Sequence, residues 1–220
     1  MKKTGNIIFA MALFFSCKQE IKPAHEKPKQ VTVNSGRNYV YTNAAGQRVI
    51  IRNSLPKGDA YMAPNGKQYF NVVFWTNIIN ETKSPLEFTI HFPAHFYDLT
   101  NLPGNRDKVF IANDTMTLDK EPLYNYGFTG LKTFLDKHLE KPTTLTRTVE
   151  PNASTGFYVI VLRQSTTNEP GGTLRTGLNL QGQNLVYTIA RYGGKPNHPL
   201  TSQKEMNCGS INLKGLVQVK

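Results

Sequence analysis

The densest group of side chains able to hold a metal is His91-Phe92-Pro93-Ala94-His95-Phe96-Tyr97-Asp98. Zinc takes three or four nitrogen, sulfur or oxygen donors, at about 2.0–2.2 Å for histidine and carboxylate. His91, His95 and Asp98 are the residues that could supply them, if the loop at Pro93 curls back toward the strand end. The competing reading is a surface strand end among aromatic neighbours, because His-x-x-x-His shares one face only on a helix and Pro93 opposes a helix. Tyr124-Asn125-Tyr126 offers different chemistry. Extended backbone sends alternate side chains to one side, so Tyr124 and Tyr126 form a candidate aromatic platform for a ligand such as a glycan; the alternative is that both rings pack the end of the fold. Asp98, Asp107, Asp114, Asp119 and Glu121 are the acids considered for paired-carboxylate chemistry, and no spacing marks a pair among them. The Gly-x-Ser-x-Gly elbow and the phosphate-cradling glycine loop are both absent. No catalytic residue and no cofactor is assigned.

The first residues read as an address. Lys2 and Lys3 precede the nine apolar residues Ile7 to Phe15, and small Ser16 stands before Cys17. Phe14-Phe15-Ser16-Cys17 resembles the lipobox of the type II signal peptide of bacterial lipoproteins, although aromatic residues replace the usual aliphatic and small ones and Leu13 sits one position early. That resemblance implies removal of residues 1–16, a diacylglyceryl thioether and acylated amine on Cys17, and anchoring in a membrane of the cell envelope. Lys18, where an aspartate would retain the protein, implies passage to the outer membrane; an inward or outward orientation stays open. A secretory peptide cut elsewhere, or an uncleaved anchor, are the other readings of the segment, which is far shorter than the roughly 20 residues of a membrane-spanning helix. With Cys17 acylated, Cys208 has no disulfide partner. It reads either as a small buried hydrophobe or as a nucleophile, and His198 shows nothing that marks a Cys-His pair. Asp114-Thr115-Met116 is similar to the Asp-Thr-apolar acceptor of some bacterial O-glycosylation systems, which makes Thr115 a candidate modification site.

The formal net charge is +11, and losing Lys2 and Lys3 with the leader brings it to +9. Basic residues are scattered rather than gathered into a stripe with interleaved aromatics, which argues against nucleic acid as a partner. The charge suits weak attraction to anionic lipid head groups or acidic glycans, or simply a well-solvated surface.

The elements that must position these residues are mostly strands. Residues 17–37 contain two prolines, many charges and few apolar side chains, and read as a flexible tether reaching about 25 Å. Residues 38–220 read as one domain in which short apolar runs alternate with Gly, Pro, Asn and Asp. Strands are expected at Val49–Ile51, Tyr69–Ile79, Leu86–Phe92, Lys108–Ile111, Leu145–Val149, Gly156–Leu162, Leu174–Leu180, Asn184–Arg191 and Ile211–Val219. Tyr69–Ile79 is apolar on both faces and is therefore expected to be central and covered. Asn80 to Pro85 reads as a hairpin turn into Leu86–Phe92, with Phe88, Ile90 and Phe92 facing inward. Leu131, Phe134, Leu135, His138 and Leu139 repeat at helical spacing, predicting one short helix near 129–141 that caps an open end or edge. The expected fold is all-β: a two-sheet antiparallel sandwich, immunoglobulin-like, with that one helix inserted. The function expected is a lipid-anchored envelope binding or accessory protein with an envelope protein or glycan as partner. A hydrolase acting on envelope or glycan substrates, with or without a metal ion, and an inhibitor or immunity lipoprotein occupying a protein partner are the alternatives.

Overall fold

The computed structural model describes residues 36–98, 106–164, 173–192 and 200–219, all within the compact unit Val33–Lys220. Cys17, the expected leader and most of the expected tether fall in residues 1–35, outside the described residues. Among those described, the chain runs through β1 (Asn38–Thr42), β2 (Arg48–Asn53), β3 (Lys57–Met62), β4 (Gln68–Glu81), β5 (Leu86–Phe92), β6 (Tyr97–Asp98) and β7 (Arg106–Thr115). Two 3-10 turns, Leu118–Lys120 and Tyr124–Gly127, lead to α1 (Leu131–His138). There follow β8 (Thr143–Val149), β9 (Ala153–Gln164), β10 (Thr173–Gln181), β11 (Asn184–Tyr192), β12 (Leu200–Ile211) and β13 (Val217–Val219).

These strands form two antiparallel sheets, the first in the order β13-β1-β2-β4-β9-β7-β6 and the second in the order β10-β11-β12-β5-β8. β3 pairs with the early half of β4, on the edge whose later half is taken by β2, while β9 runs along the opposite edge. The sheets pack face to face as an all-β sandwich, and the first core cluster lies between them. Tyr41, Val49, Ile51, Phe74 and Ile78 come from one side, and Phe88, Ile90, Phe92, Leu178 and Tyr187 from the other. In β5 the alternation is complete, with Leu86, Phe88, Ile90 and Phe92 buried and Glu87, Thr89 and His91 exposed. β4 is covered on both faces along much of its length, as expected from its two apolar sides: Val72, Phe74 and Ile78 enter the core between the sheets and Tyr69, Val73 and Trp75 enter a second core on the outer face, whereas Phe70 is exposed and Ile79 belongs to neither cluster. β10 and β11 form a hairpin. Gln181 faces Asn184 across the two-residue loop Gly182-Gln183, and Gly182, at φ 64°, takes a position that L side chains adopt with strain.

Three expectations are corrected. β4 and β5 do not form a hairpin, because β2 and β9 already occupy both edges of β4 over residues 76–80, so the chain crosses to the other sheet. Asn80 holds this corner: its Nδ2 donates to the carbonyls of Ser84 (2.9 Å) and Val149 (2.8 Å), and its Oδ1 accepts from the Thr82 amide and hydroxyl. The helix does not cap an end or edge of the sandwich. Leu135 and Leu139, with Leu131 and Phe134 beside them, pack on the outer face of the first sheet against a cluster containing Phe110, Tyr158, Ile160 and Leu162. Ile211–Val219 is not one strand either, since β12 ends at Ile211 in the second sheet and β13 belongs to the first.

Lys108 shows what the outer layer requires. It is fully buried on β7 beside Phe110, and its Nζ donates to the carbonyls of His138 and Leu139 at the C-terminal end of α1. Helix C-termini leave carbonyls without intrahelical partners and carry partial negative charge, so an ammonium there meets both needs. Burial nevertheless pushes the Lys108 amine below its ordinary value.

Candidate functional site

The metal candidates are not brought together. His91 projects from the outward face of β5, where its Nδ1 lies 2.9 Å from the Thr144 hydroxyl. β5 is in the second sheet and β6 in the first, so the chain leaves His91 behind as it crosses. His95 packs edge-on against Tyr97, with ring centroids 4.5 Å apart, and Asp98 pairs across β6 and β7 with Arg106. The described residues contain no group of three or more His, Cys, Asp and Glu able to hold a metal ion. Of the acids, Asp107 is buried and engaged at both oxygens by Arg163, at 2.7 and 2.6 Å, which is an internal ion pair rather than a poised carboxylate. Asp98, Asp114, Asp119 and Glu121 are exposed. Thr115 is exposed at the end of β7, and its carbonyl accepts from Lys120 Nζ at 2.9 Å.

The two tyrosines of the expected platform part company. Asn125, Tyr126 and Gly127 all take positive φ, at 45°, 58° and 69°, so the segment is a left-handed turn rather than an extended run. Tyr126 is thereby turned inward. Its ring meets Trp75 edge-on at 6.4 Å, its hydroxyl donates to the Leu55 carbonyl at 2.6 Å, and its carbonyl accepts from the Tyr158 hydroxyl at 2.9 Å. Tyr124 is turned outward and is 70% exposed. The paired platform is therefore replaced by a single presented ring. Non-glycine residues in the left-handed region cost on the order of 1 kcal/mol or more each, and here the surroundings enforce them. Asn125 is buried as well, and its Oδ1 has no hydrogen-bond partner.

Strand β3 straps this turn in place. Lys57 Nζ donates to the carbonyls of Glu121 and Leu123, both at 2.7 Å, and sits 4.0 Å from the centroid of the Tyr126 ring. Two residues along the strand, Asp59 accepts the Tyr124 hydroxyl at 2.6 Å. That hydrogen bond holds the Asp59 carboxyl below its usual range and raises the Tyr124 phenol. Around the strap stand large apolar side chains in water: Leu55 (41% exposed), Leu118 (48%), Leu123 (51%) and Tyr124. Isolated exposed leucines need no explanation; here Leu118, Leu123 and Tyr124 precede the left-handed turn and the Leu55 carbonyl accepts the Tyr126 hydroxyl beside it.

No protein-family model, no curated protein and no solved structure matches the chain. The functional reading therefore stands on residue chemistry alone.

Sequence reasoning named Tyr124 but missed Leu55, Lys57, Asp59, Leu118 and Leu123. Lys57 and Asp59 lie more than 60 positions away from the turn that they hold, and no local pattern announces such pairing. The signal available was the glycine at 127, which follows two residues that tolerate a turn only under constraint.

Cys208 is the remaining chemically distinctive side chain. It is buried in the core between the sheets, its Sγ donates to the Leu185 carbonyl at 3.3 Å, and burial pushes its thiol up to about 12. A thiol so placed is not a nucleophile at neutral pH. His198, weighed beside it, lies outside the described residues. A disulfide-exchange reagent is expected to leave Cys208 unmodified in the native protein and to modify it in denaturant. Stability should also fall in alkali. The folded state keeps a proton that the unfolded chain releases above about 9, and the buried Tyr41 phenol, likewise pushed up by burial to about 12 from 10.0, acts in the same direction. Stability is thus complete below the unfolded values and is lost as pH rises toward the folded ones. A urea midpoint corresponding to a loss on the order of 2 kcal/mol between about pH 8 and about pH 10.5 is expected.

Proposed function

We propose that this is a lipid-anchored protein of the bacterial cell envelope, held in the outer membrane through Cys17, whose domain binds an envelope protein with the turn bearing Leu123 and Tyr124. The observation that carries the reading is the exposure of Leu55, Leu118, Leu123 and Tyr124 around a turn strapped to β3 by Lys57 and Asp59. A rigid, preformed apolar surface lowers the ordering cost of association, and aromatic anchors ringed by apolar contacts carry most of the energy of protein interfaces. A glycan is served less well. Sugar platforms set a ring among free hydrogen-bonding groups, whereas here leucines flank the ring and its hydroxyl is already engaged by Asp59. This moves the reading toward an accessory or inhibitor-type lipoprotein occupying one partner, with no catalytic step assigned.

The anchor is supported by the order Lys2-Lys3, Ile7–Phe15, Ser16-Cys17. Two or more acyl chains hold a protein firmly, since each buried methylene contributes about 0.8 kcal/mol. Cys17→Ala is expected to leave an unlipidated, uncleaved precursor whose domain is folded. Mass measurement of the N-terminal peptide checks this, and a variant processed and membrane-bound as before would contradict the anchor.

A further inference from the structure

The second layer covers only part of the outer face of the first sheet. Across the uncovered part, the strand register aligns Val219 with Val40, Val40 with Ile50, and Ile50 with Ile79, a straight aliphatic row crossing β13, β1, β2 and β4. Val217 lies one step away on the same side of β13, opposite Thr42. The intervening residues Tyr41, Val49 and Ile51 point into the core between the sheets, so this row points out. None of the five aliphatic side chains belongs to either packed cluster. Val217 and Val219 are 69% and 53% exposed, and Val40, Ile50 and Ile79 are half-buried. Antiparallel sheets with one solvated face ordinarily alternate apolar-in with polar-out; here one outward row is apolar, set between the polar rows Thr42-Arg48-Glu81 and Asn38-Arg52-Asn77. Its rim carries two arginines and one glutamate. Arg48 and Arg52 flank Ile50 on the same face; Arg48 reaches Glu81 at 2.6 Å, while Arg52 joins no ion pair among the described residues.

We propose that this strip docks on a bilayer surface bearing anionic lipid, laying the first sheet against the membrane that holds Cys17. The proposal rests on the lipid anchor inferred above. The chain enters the domain at β1, itself a strand of the strip, so residues 18–37 connect the anchor directly to this edge. The tether expected from the composition of residues 18–37 would reach about 25 Å, within range of the head groups. An aliphatic row flanked by arginine, on a chain of net charge +9 once Lys2 and Lys3 are lost, is complementary to an apolar surface carrying negative charge. A second copy suits it less well, since like net charge repels and a three-residue edge strand offers few backbone hydrogen bonds.

The test places an environment-sensitive fluorophore on Val219→Cys in the full chain. Cys208 is buried and Cys17 is acylated, so labelling is confined to the new thiol. The protein is reconstituted in phosphatidylethanolamine vesicles containing phosphatidylglycerol, and separately in phosphatidylcholine vesicles. Emission is expected to shift to the blue and to brighten at least about two-fold in the anionic vesicles, less in the neutral ones, with added salt reducing the difference. The same probe on Glu205→Cys, on the outer side of β12, should keep its aqueous spectrum. Equal spectra at the two positions in anionic vesicles overturn the proposal. A shift at position 219 that needs no vesicles and grows with protein concentration assigns the strip to a second copy and overturns it equally. Failure of the anchor is seen separately, as a Cys17 peptide without acyl mass. The unanchored chain, carrying Cys17→Ser so that the label stays at position 219, is then added to the same vesicles and must still show the shift, and a silent probe overturns the proposal. Val217→Cys repeats the measurement should labelling at 219 disturb β13.

Discussion

Asn53→Ala is expected to cost about 3–5 kcal/mol of stability, a large share of what holds a domain of this size folded. Asn53 is buried at the end of β2 and uses its whole hydrogen-bonding capacity. Its Nδ2 donates to the carbonyls of Arg37 and Leu178, both at 3.1 Å, and its Oδ1 accepts from the Thr76 hydroxyl and the Leu178 amide, both at 2.9 Å. Leu178 is in the second sheet, so this one side chain bonds the two sheets to each other. Alanine leaves the Leu178 amide and carbonyl and the Thr76 hydroxyl buried without partners, each an expense of about 1–3 kcal/mol that is only partly additive. Asn53→Asp keeps the acceptor but loses both donations and buries a charge, and should be no better. Urea unfolding checks this by a lowered midpoint at unchanged slope, and the thermal midpoint should fall on the order of 10 °C. Asn113→Ala, at an exposed position, is the control. A loss below about 1 kcal/mol for Asn53→Ala would mean that the sheets are held by apolar packing alone.

Leu123→Asp combined with Tyr124→Ala is expected to reduce partner binding by at least about 30-fold while leaving the domain stable. The magnitude follows from the usual cost of removing a central interface anchor, about 2 kcal/mol or more, at 1.4 kcal/mol per tenfold. Stability is spared because both side chains are more than half exposed, and the turn remains fixed by the contacts of Tyr126 and by the bonds of Lys57 to backbone carbonyls. Tyr124→Phe separates the ring from its hydroxyl. It forfeits the hydrogen bond to Asp59 but keeps the apolar face, so it should retain most of the binding. Retention by the double variant together with loss by Tyr124→Phe would indicate a polar ligand at the hydroxyl instead.

Much of the sandwich was legible because its pattern is local. Phe88, Ile90 and Phe92 alternate with polar residues and do face inward, and the two apolar sides of Tyr69–Ile79 do meet two cores. What failed was pairing at a distance. A polar turn between two apolar strands reads the same whether the strands pair or cross between sheets, and the deciding contact joins Asn80 to Val149, 69 positions away. The apolar stripe of α1 identified the helix but not the face it would cover, since a stripe specifies amphipathicity and not a partner. β12 was missed because Thr201 to Ser210 is mostly polar, with Met206 and Cys208 its buried apolar contributions among the described side chains. At the candidate site, alternation in Tyr124-Asn125-Tyr126 implied an extended run, and three consecutive left-handed residues instead sent one ring inward and the other out. Backbone in that region is imposed by tertiary contacts, here those of Lys57, Trp75 and Tyr158, and no periodicity records them.

Affinity capture from the protein's own membranes tests the central claim most directly, with the wild-type lipidated chain and the Leu123→Asp, Tyr124→Ala variant captured side by side and their companions quantified. One envelope protein recovered with the wild type and depleted at least about tenfold with the equally abundant, equally lipidated variant is the predicted result. The same companions in the same amounts from both proteins would contradict it, because the strapped turn would then not be the surface through which this protein works.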